Sequence, residues 1–119
     1  YMKLARVAEN EMGNASSWTY WNGSSWVADE SAAVAIIYVG TLGEISVIKN
    51  ANGRYLMMYS TIKRDAIVVR DAASPEGDWS GEKIVLVDDE DEVLYAPTML
   101  PVSAIGNDIY FLMSSAWGE

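Results

Sequence analysis

Any chemistry that this chain performs must use carboxylates, hydroxyls, Lys or Arg side chains or a borrowed group, because its 119 residues include no His and no Cys. Serine–histidine triads, imidazole bases, His-ligated zinc, disulfides and thiolate nucleophiles are therefore excluded. Glu44 is the strongest catalytic candidate, since it stands immediately before an alternating apolar segment, ISVIK. A carboxyl group at the start of a strand that lines a channel is suited to general-acid catalysis. The alternative is a Glu44 that faces solvent or pairs with Lys49.

An acidic run, DDEDE at 88–92, contains oxygen ligands of the kind that bind hard cations. It lacks the glycine and the D-x-[DN]-x-[DN]-G spacing of a calcium loop, so a solvated loop is the favoured interpretation. The sequence also has no phosphate-binding glycine loop and no nucleophile elbow. It therefore predicts neither a metal site nor a cofactor.

Aromatic side chains are the second group with potential chemistry, because flat rings stack on the apolar faces of sugars. If the sheets of this chain are arranged around a central channel, as in a β-propeller, Tyr95 and Trp117 fall at the ends of strands on the channel side. Four other tryptophans fall in predicted outer strands and turns, where packing between sheets is the favoured role: Trp18, Trp21, Trp26 and Trp79.

Charge and hydropathy exclude further classes of partner. The formal net charge of −9 repels phosphate backbones, so we expect no nucleic-acid partner. The longest apolar stretch, 32–40, is far shorter than the ~20 residues of a membrane-spanning helix, and the first residues contain no apolar targeting core. Half of the residues are hydrophobic, which is typical of a folded domain and not of an acidic tail.

The hydrophobic pattern predicts strands throughout. Aromatic arms flank Asn22 and Gly23 in WTYWNGSSWV, which predicts a hairpin with a type I′ turn. The segment 32–39 allows a short helix or a strand, and its IIYV end favours a strand. At the end of another predicted strand, Arg70 stands beside Asp71, and we expect a structural ion pair there.

The most regular segment is 42–87, where four predicted strands are joined by short turns. They cover 43–49, 54–60, 66–70 and 82–87. A four-stranded meander of about this size is typical of one blade of a β-propeller.

The whole chain is thus predicted to be all-β, with antiparallel four-stranded blades of a five-bladed propeller, of which it covers two to two and a half. Residues 2–39 form the outer half of one blade, 42–87 a full blade, and 94–116 the inner half of the next. Because propellers close with ~4–8 blades, we expect a part of a longer polypeptide, or copies that complete a ring together. The remaining blades would come from the same chain or from other copies.

An ordered set of segments resembles the C-terminal part of five-bladed propellers in a bacterial family of domains of unknown function. Characterised actinobacterial members of that family are glycoside hydrolases, including endo-D-arabinanases. The segments that carry the resemblance are WTYWNGSSWV, LGEISVIKN, GRYLMMYS, IVVRDAASPEGDWSG, LYAPTMLP and NDIYFLMSSAWGE.

The segment that begins at Glu44 also resembles the general-acid strand of the arabinanase and β-xylosidase propellers. The resemblance implies that Glu44 protonates the glycosidic oxygen and that Tyr95, Trp117 and Tyr59 shape the sugar site. A second carboxylate would lie ~5–9.5 Å away, on a blade before Tyr1, so these residues alone should be inactive.

The leading hypothesis is therefore that the chain is part of a glycoside hydrolase, which acts on a polysaccharide containing pentose or furanose sugars. A secreted or surface-exposed bacterial protein is expected. Two alternatives stay open: a carbohydrate-binding or adhesion propeller without catalysis, and a half-propeller that assembles into a ring.

Overall fold

Antiparallel strands build the fold in the computed structural model, which describes residues 1–40, 42–61, 66–88 and 92–117. The helical segments in these ranges are short 3-10 turns, and none has the length and apolarity to cross a membrane. The strands of the described ranges are β1 (Met2–Lys3), β2 (Ala5–Arg6), β3 (Thr19–Trp21), β4 (Trp26–Val27), β5 (Ala35–Ile37), β6 (Ile45–Lys49), β7 (Tyr55–Thr61), β8 (Ala66–Ala72), β9 (Lys83–Val87), β10 (Glu92–Met99) and β11 (Phe111–Trp117). The predicted all-β class is confirmed.

The four strands β6 to β9 form one meander in sequence order, as the spacing of the apolar segments predicts. Its pairings are antiparallel, from Lys49 opposite Tyr55 to Ala66 opposite Val87. The turn between β6 and β7 depends on Gly53, whose φ of 78° lies in the left-handed region. The Asn50 side chain closes this turn by accepting hydrogen bonds from the backbone.

Two smaller sheets precede the meander. Strands β2, β3 and β4 form one of them, and β1 pairs with β5, which brings Met2 opposite Ile37. Of the two structures that the sequence allows for the segment 32–39, the strand is the one observed, as β5; a 3-10 turn at Glu30–Ala32 includes only the first residue of the segment. The assignment of 2–39 to the outer half of a blade stays a prediction.

The predicted type I′ turn in the β3–β4 hairpin is wrong. Trp21 pairs with Trp26, so four residues form the loop instead of two. A type I′ turn needs positive φ at both central residues, but Gly23 has it (96°) and Asn22 does not. Instead, the Asn22 side chain accepts a hydrogen bond of 2.8 Å from the backbone N–H of Ser25, which closes a wider turn.

Strands β10 and β11 form a two-stranded sheet after the meander. Within the segment 94–116, which is predicted as the inner half of a blade, the first strand ends at Met99, because Pro101 starts a 3-10 turn over Pro101–Ala104. Buried Ser103 closes the connection to β11 by donating a hydrogen bond to the Tyr110 carbonyl and accepting one from its N–H.

In the central sheet, which is the meander of β6 to β9, the two inner strands β7 and β8 are mostly buried on both faces. One face carries a cluster with Met57, Tyr59 and Val68 that packs against Met2 and Ile37 of the preceding sheet. The other face carries the alternate residues of the same strands, and its cluster continues into the sheet that follows: Met58, Ile67, Leu94 and Met99. Because successive side chains of a strand point to opposite faces, β7 and β8 need the nearly continuous apolar runs that they have.

Candidate functional site

A cleft of about 320 Å³ opens where the central sheet meets β10. Its exposed lining is mostly apolar, although the residues that border it include acidic, hydroxyl-bearing and aromatic ones. The lining residues are Gly43, Glu44, Ser60, Thr61, Asp88, Val93, Leu94 and Tyr95.

Antiparallel topology explains why residues so distant in sequence meet there. The beginning of β6, the end of β7 and the end of β9 lie at one end of the meander, and β10 begins near it. A hydrogen bond of 3.0 Å from the Met99 N–H to the Ser46 Oγ joins β10 to β6. The cleft is thus a junction between two consecutive sheets.

The chain passes close to β7 at Gly43, where a larger residue would have to displace the Ser60 hydroxyl. The Gly43 N–H donates a hydrogen bond of 2.9 Å to the Ser60 carbonyl. A Cβ at position 43 would collide with the Ser60 Oγ. This close approach fixes the backbone immediately before Glu44.

Glu44 lies at the cleft with an exposed side chain. No hydrogen bond or ion pair holds its carboxyl group within the described part of the chain. It does not pair with Lys49, whose Nζ lies 5.5 Å from the ring centre of Tyr55. Positions 44 and 49 differ by five, an odd number, so a strand directs their side chains to opposite faces.

Asp88 brings a second carboxyl group to the cleft. It directly follows β9, and its buried Oδ1 atom has no hydrogen-bond partner among the residues that the structure describes. The sequence pattern predicts Asp88 only as part of a solvated acidic loop. Residues 89–91 of that loop lie outside the described residues. The signal that could have found it is topological, since the last strand of a four-stranded antiparallel meander ends at the same end of the sheet at which the first strand begins.

Tyr95 lines the cleft and is 40% exposed. Its strand contains a bulge directly after it, because Tyr95 pairs with Ser114 whereas Thr98 pairs with Leu112. Within the bulge, Ala96 has a φ of 53°, which is unusual for a residue with a side chain. Bulges redirect side chains, and this one determines how Tyr95 meets the cleft.

Trp117 is the last residue of β11, and its backbone pairs with Glu92 at the start of β10. Its strand position is therefore near the end of the sheet where Val93, Leu94 and Tyr95 line the cleft. Its side chain lies outside the described part of the structure.

Tyr59 is not at the cleft, in contrast to its expected part in shaping a sugar site. Its side chain is fully buried. The Tyr59 hydroxyl donates a hydrogen bond of 2.8 Å to Glu82 Oε1 and accepts one of 2.8 Å from Arg70 Nε. Burial raises the pKa of the Tyr59 phenol above its usual range, and the Arg70 hydrogen bond opposes this rise. Tyr59 is therefore a core residue.

The expected ion pair between Arg70 and Asp71 is wrong. Adjacent strand residues point to opposite faces, so each has a different partner. Arg70 pairs with Glu82 at 3.5 Å, and Asp71 pairs with Arg54 at 2.5 Å.

The four tryptophans outside the cleft have structural contacts. The Trp21 and Trp26 rings lie 5.5 Å apart, and the Arg6 guanidinium lies 4.2 Å from the centre of the Trp26 ring. Trp79 packs against the cluster around Tyr59. Trp18 donates a hydrogen bond of 3.3 Å to the Met12 carbonyl. These contacts favour the packing interpretation.

Metal ligands do not cluster in the described ranges, where no three His, Cys, Asp or Glu residues lie close enough to hold an ion. The interpretation of 88–92 as a cation site falls mostly on residues outside those ranges.

A family model described as "Domain of unknown function (DUF4185)" matches residues 1–119. The chain belongs to this family. It is also 31% identical over 121 residues to the "Notoamide biosynthesis cluster protein J" of Aspergillus sp. (strain MF297-2), covering 98% of this chain and 32% of that protein. The chain thus spans about a third of the length of this relative. Membership in a domain-of-unknown-function family is confirmed, whereas the bacterial, five-bladed and arabinanase parts of the resemblance stay predictions.

Proposed function

We propose that this chain supplies the general-acid side of a glycoside hydrolase site that acts on a pentose- or furanose-containing polysaccharide. The observation that supports it best is that Glu44 and Tyr95, which are 51 positions apart in sequence, line one cleft. Clefts with a few polar groups and an aromatic wall are the usual form of small-ligand sites.

In this proposal, the Glu44 carboxyl group donates its proton to the glycosidic oxygen as the bond to the leaving sugar breaks. The exposed position of Glu44 leaves its carboxyl group accessible to a ligand. Tyr95 provides a ring on which a sugar stacks, and Trp117 is placed by its strand position near the same end of the sheet. Further blades, from the same chain or from other copies, would supply the carboxylate that activates water or attacks the sugar.

The experiment is the substitution Glu44→Gln in the full-length protein, which keeps the shape of the side chain and removes its acidic proton. General-acid catalysis contributes about 10²- to 10⁴-fold, so hydrolysis of an arabinofuranose or xylose polysaccharide should fall by that factor. Glu30→Gln is the matched control, because Glu30 is exposed and lies outside the cleft. Equal turnover by the parent and the Glu44→Gln protein would refute the assignment.

Carbohydrate binding without hydrolysis is the second candidate. It is favoured by the absence, among the described residues, of any partner that orients the Glu44 carboxyl group. The name of the Aspergillus relative also refers to a biosynthesis cluster and not to a hydrolase. In this case the parent protein would bind a glycan without cleaving it, and Glu44→Gln would leave the affinity nearly unchanged. Either activity implies a secreted or surface-exposed protein.

A further inference from the structure

Strand β6 is covered by other residues on one face and open on the other. On the face towards β10, Ile48 packs against the cluster that contains Leu94, and the Ser46 Oγ accepts a hydrogen bond from β10. On the opposite face, Ile45 and Val47 are 44% and 45% exposed. These two alternate residues form an apolar stripe along the strand, which we call the β6 stripe.

Burial on this face stops between β7 and β6. Ile45 is paired with Tyr59, and Val47 with Met57, so the four side chains share one face of the sheet. Tyr59 and Met57 are buried, because strands that precede the meander pack over β7 and β8. Within the described ranges, none of the buried or partly buried residues of that cluster belongs to β6. The β6 stripe is therefore the uncovered margin of a hydrophobic core, unlike a single apolar residue on a surface.

An apolar strand is the partner that matches the β6 stripe. Side chains two positions apart on a strand interdigitate with those of a second strand that packs face to face, ~10 Å away. The other face of β6 is covered in this way by β10. The next residue on the face of the stripe is Lys49, whose Nζ lies 5.5 Å from the ring centre of Tyr55. A charge therefore limits the stripe at the turn, and a short strand is long enough to cover it.

Length favours the same polypeptide as the source of that strand. In the Aspergillus relative, about two thirds of the protein lies outside the part that matches this chain. Two residues are far too few for a contact between separate copies, since each partner of a stable interface buries about 800 Å². The predicted division of the chain agrees, because it assigns only the outer half of a blade to 2–39.

We propose that the β6 stripe is an interior contact of the full-length protein, covered by an apolar strand of the same polypeptide from outside residues 1–119. Burial of Ile45 and Val47 would complete the core on this face of the central sheet. The proposal is independent of catalysis, because the stripe lies on the face of β6 opposite to the one that β10 covers.

The test measures how accessible a thiol at the stripe is in the full-length protein. These 119 residues contain no Cys, so Val47→Cys gives a single thiol once any cysteine elsewhere in the protein is replaced by serine. Its modification by a maleimide, followed by intact mass, should be about 100-fold slower in the folded protein than in urea. Lys83→Cys is the matched control, because Lys83 is exposed on β9, the opposite edge strand of the same sheet. Its thiol should react in the folded protein nearly as fast as in urea.

Every outcome bears on the proposal. A thiol at position 47 that reacts as fast as the one at position 83 overturns it, because the stripe would then be open to solvent. Ile45→Cys repeats the measurement on the second residue of the stripe and decides the matter where Val47→Cys does not fold. Sedimentation and a dilution series identify the source of the strand. Protection that persists in the monomer supports the same polypeptide, whereas protection that is lost on dilution assigns the stripe to a contact between copies and overturns the proposal.

Discussion

The two ends of strand β9 carry carboxyl groups in opposite situations. Glu82, just before the strand, accepts a hydrogen bond from Tyr59 and pairs with Arg70, both in the protein interior. Asp88, just after the strand, has a buried oxygen for which the described residues provide no hydrogen-bond partner. The fold therefore satisfies the carboxylate in its interior with two partners, whereas it leaves an oxygen of the carboxylate beside the cleft without a hydrogen bond from those residues.

Arg70→Met removes the partner of Glu82 and should have the largest effect on the free energy of unfolding. Arg70 also donates a hydrogen bond of 2.8 Å to the Ser80 carbonyl, so its removal affects three partners at once. Breaking a buried pair by removing one charge costs about 3 kcal/mol in the free energy of unfolding. Urea unfolding of the full-length protein measures this loss.

The matched control is Arg54→Met, which breaks the pair with Asp71 at a position where the Arg54 side chain is 48% exposed. Surface pairs contribute at most about 1 kcal/mol, so its effect should be clearly smaller. Equal losses in the two variants would contradict the distinction between a buried network and a surface pair.

Gly43→Ala changes the backbone beside the cleft and should have an intermediate effect on the free energy of unfolding. The added Cβ meets the Ser60 Oγ, and overpacking of this kind costs about 1–3 kcal/mol in unfolding free energy. The shift of the backbone also displaces Glu44, so both turnover and oligosaccharide affinity should fall. Thermal unfolding and calorimetric titration measure the two consequences.

Gly53→Ala separates the steric effect from a simple loss of glycine. No atom outside the turn lies within 4 Å of a Cβ at that position, and only the positive φ opposes the substitution. We expect a loss of about 1 kcal/mol with unchanged affinity. If Gly43→Ala behaved in the same way, the close approach to Ser60 would have no functional importance.

Asp71→Asn should have the smallest effect, and it depends on pH. The Ser80 hydroxyl, followed by the Arg54 guanidinium, holds the pKa of the Asp71 carboxyl below its usual range. A lowered folded-state pKa stabilises the protein above the unfolded pKa of about 3.9, and this contribution is lost as the pH falls towards the folded value. Urea unfolding should show a difference between wild type and variant near neutral pH that shrinks by about pH 3. A difference that is the same at both pH values would contradict this origin.

The regular part of the fold could be predicted from the sequence, because local signals and long-range packing agree there. The four strands of the meander have apolar segments of the right length with turn residues between them, and their observed bounds differ from the predicted ones by at most two residues. The β3–β4 turn was missed because Asn22 satisfies the backbone with its side chain, which competes with the two-residue turn.

The site was predictable in part. Glu44 could be recognised because it directly precedes a clear strand. Tyr95 could be recognised because it is an aromatic residue near the start of another strand. Asp88 did not, since its acidic neighbours resemble a solvated loop and its burial depends on two sheets meeting. Tyr59 shows the reverse problem, because an aromatic residue in a strand looks the same whether it faces a ligand or the core.

The left-handed backbone at Ala96 restricts how this family can vary beside the cleft. Gly, Asn and Asp are the residues that accept such a φ most readily, whereas Val, Ile and Thr do not. A β-branched substitution at position 96 would favour a regular ladder without the bulge, which would move the paired residues of β10 by one position and turn Tyr95 to the opposite face of its sheet. Among homologous sequences, a β-branched residue at this position is therefore expected to indicate that the aromatic wall of the cleft is lost.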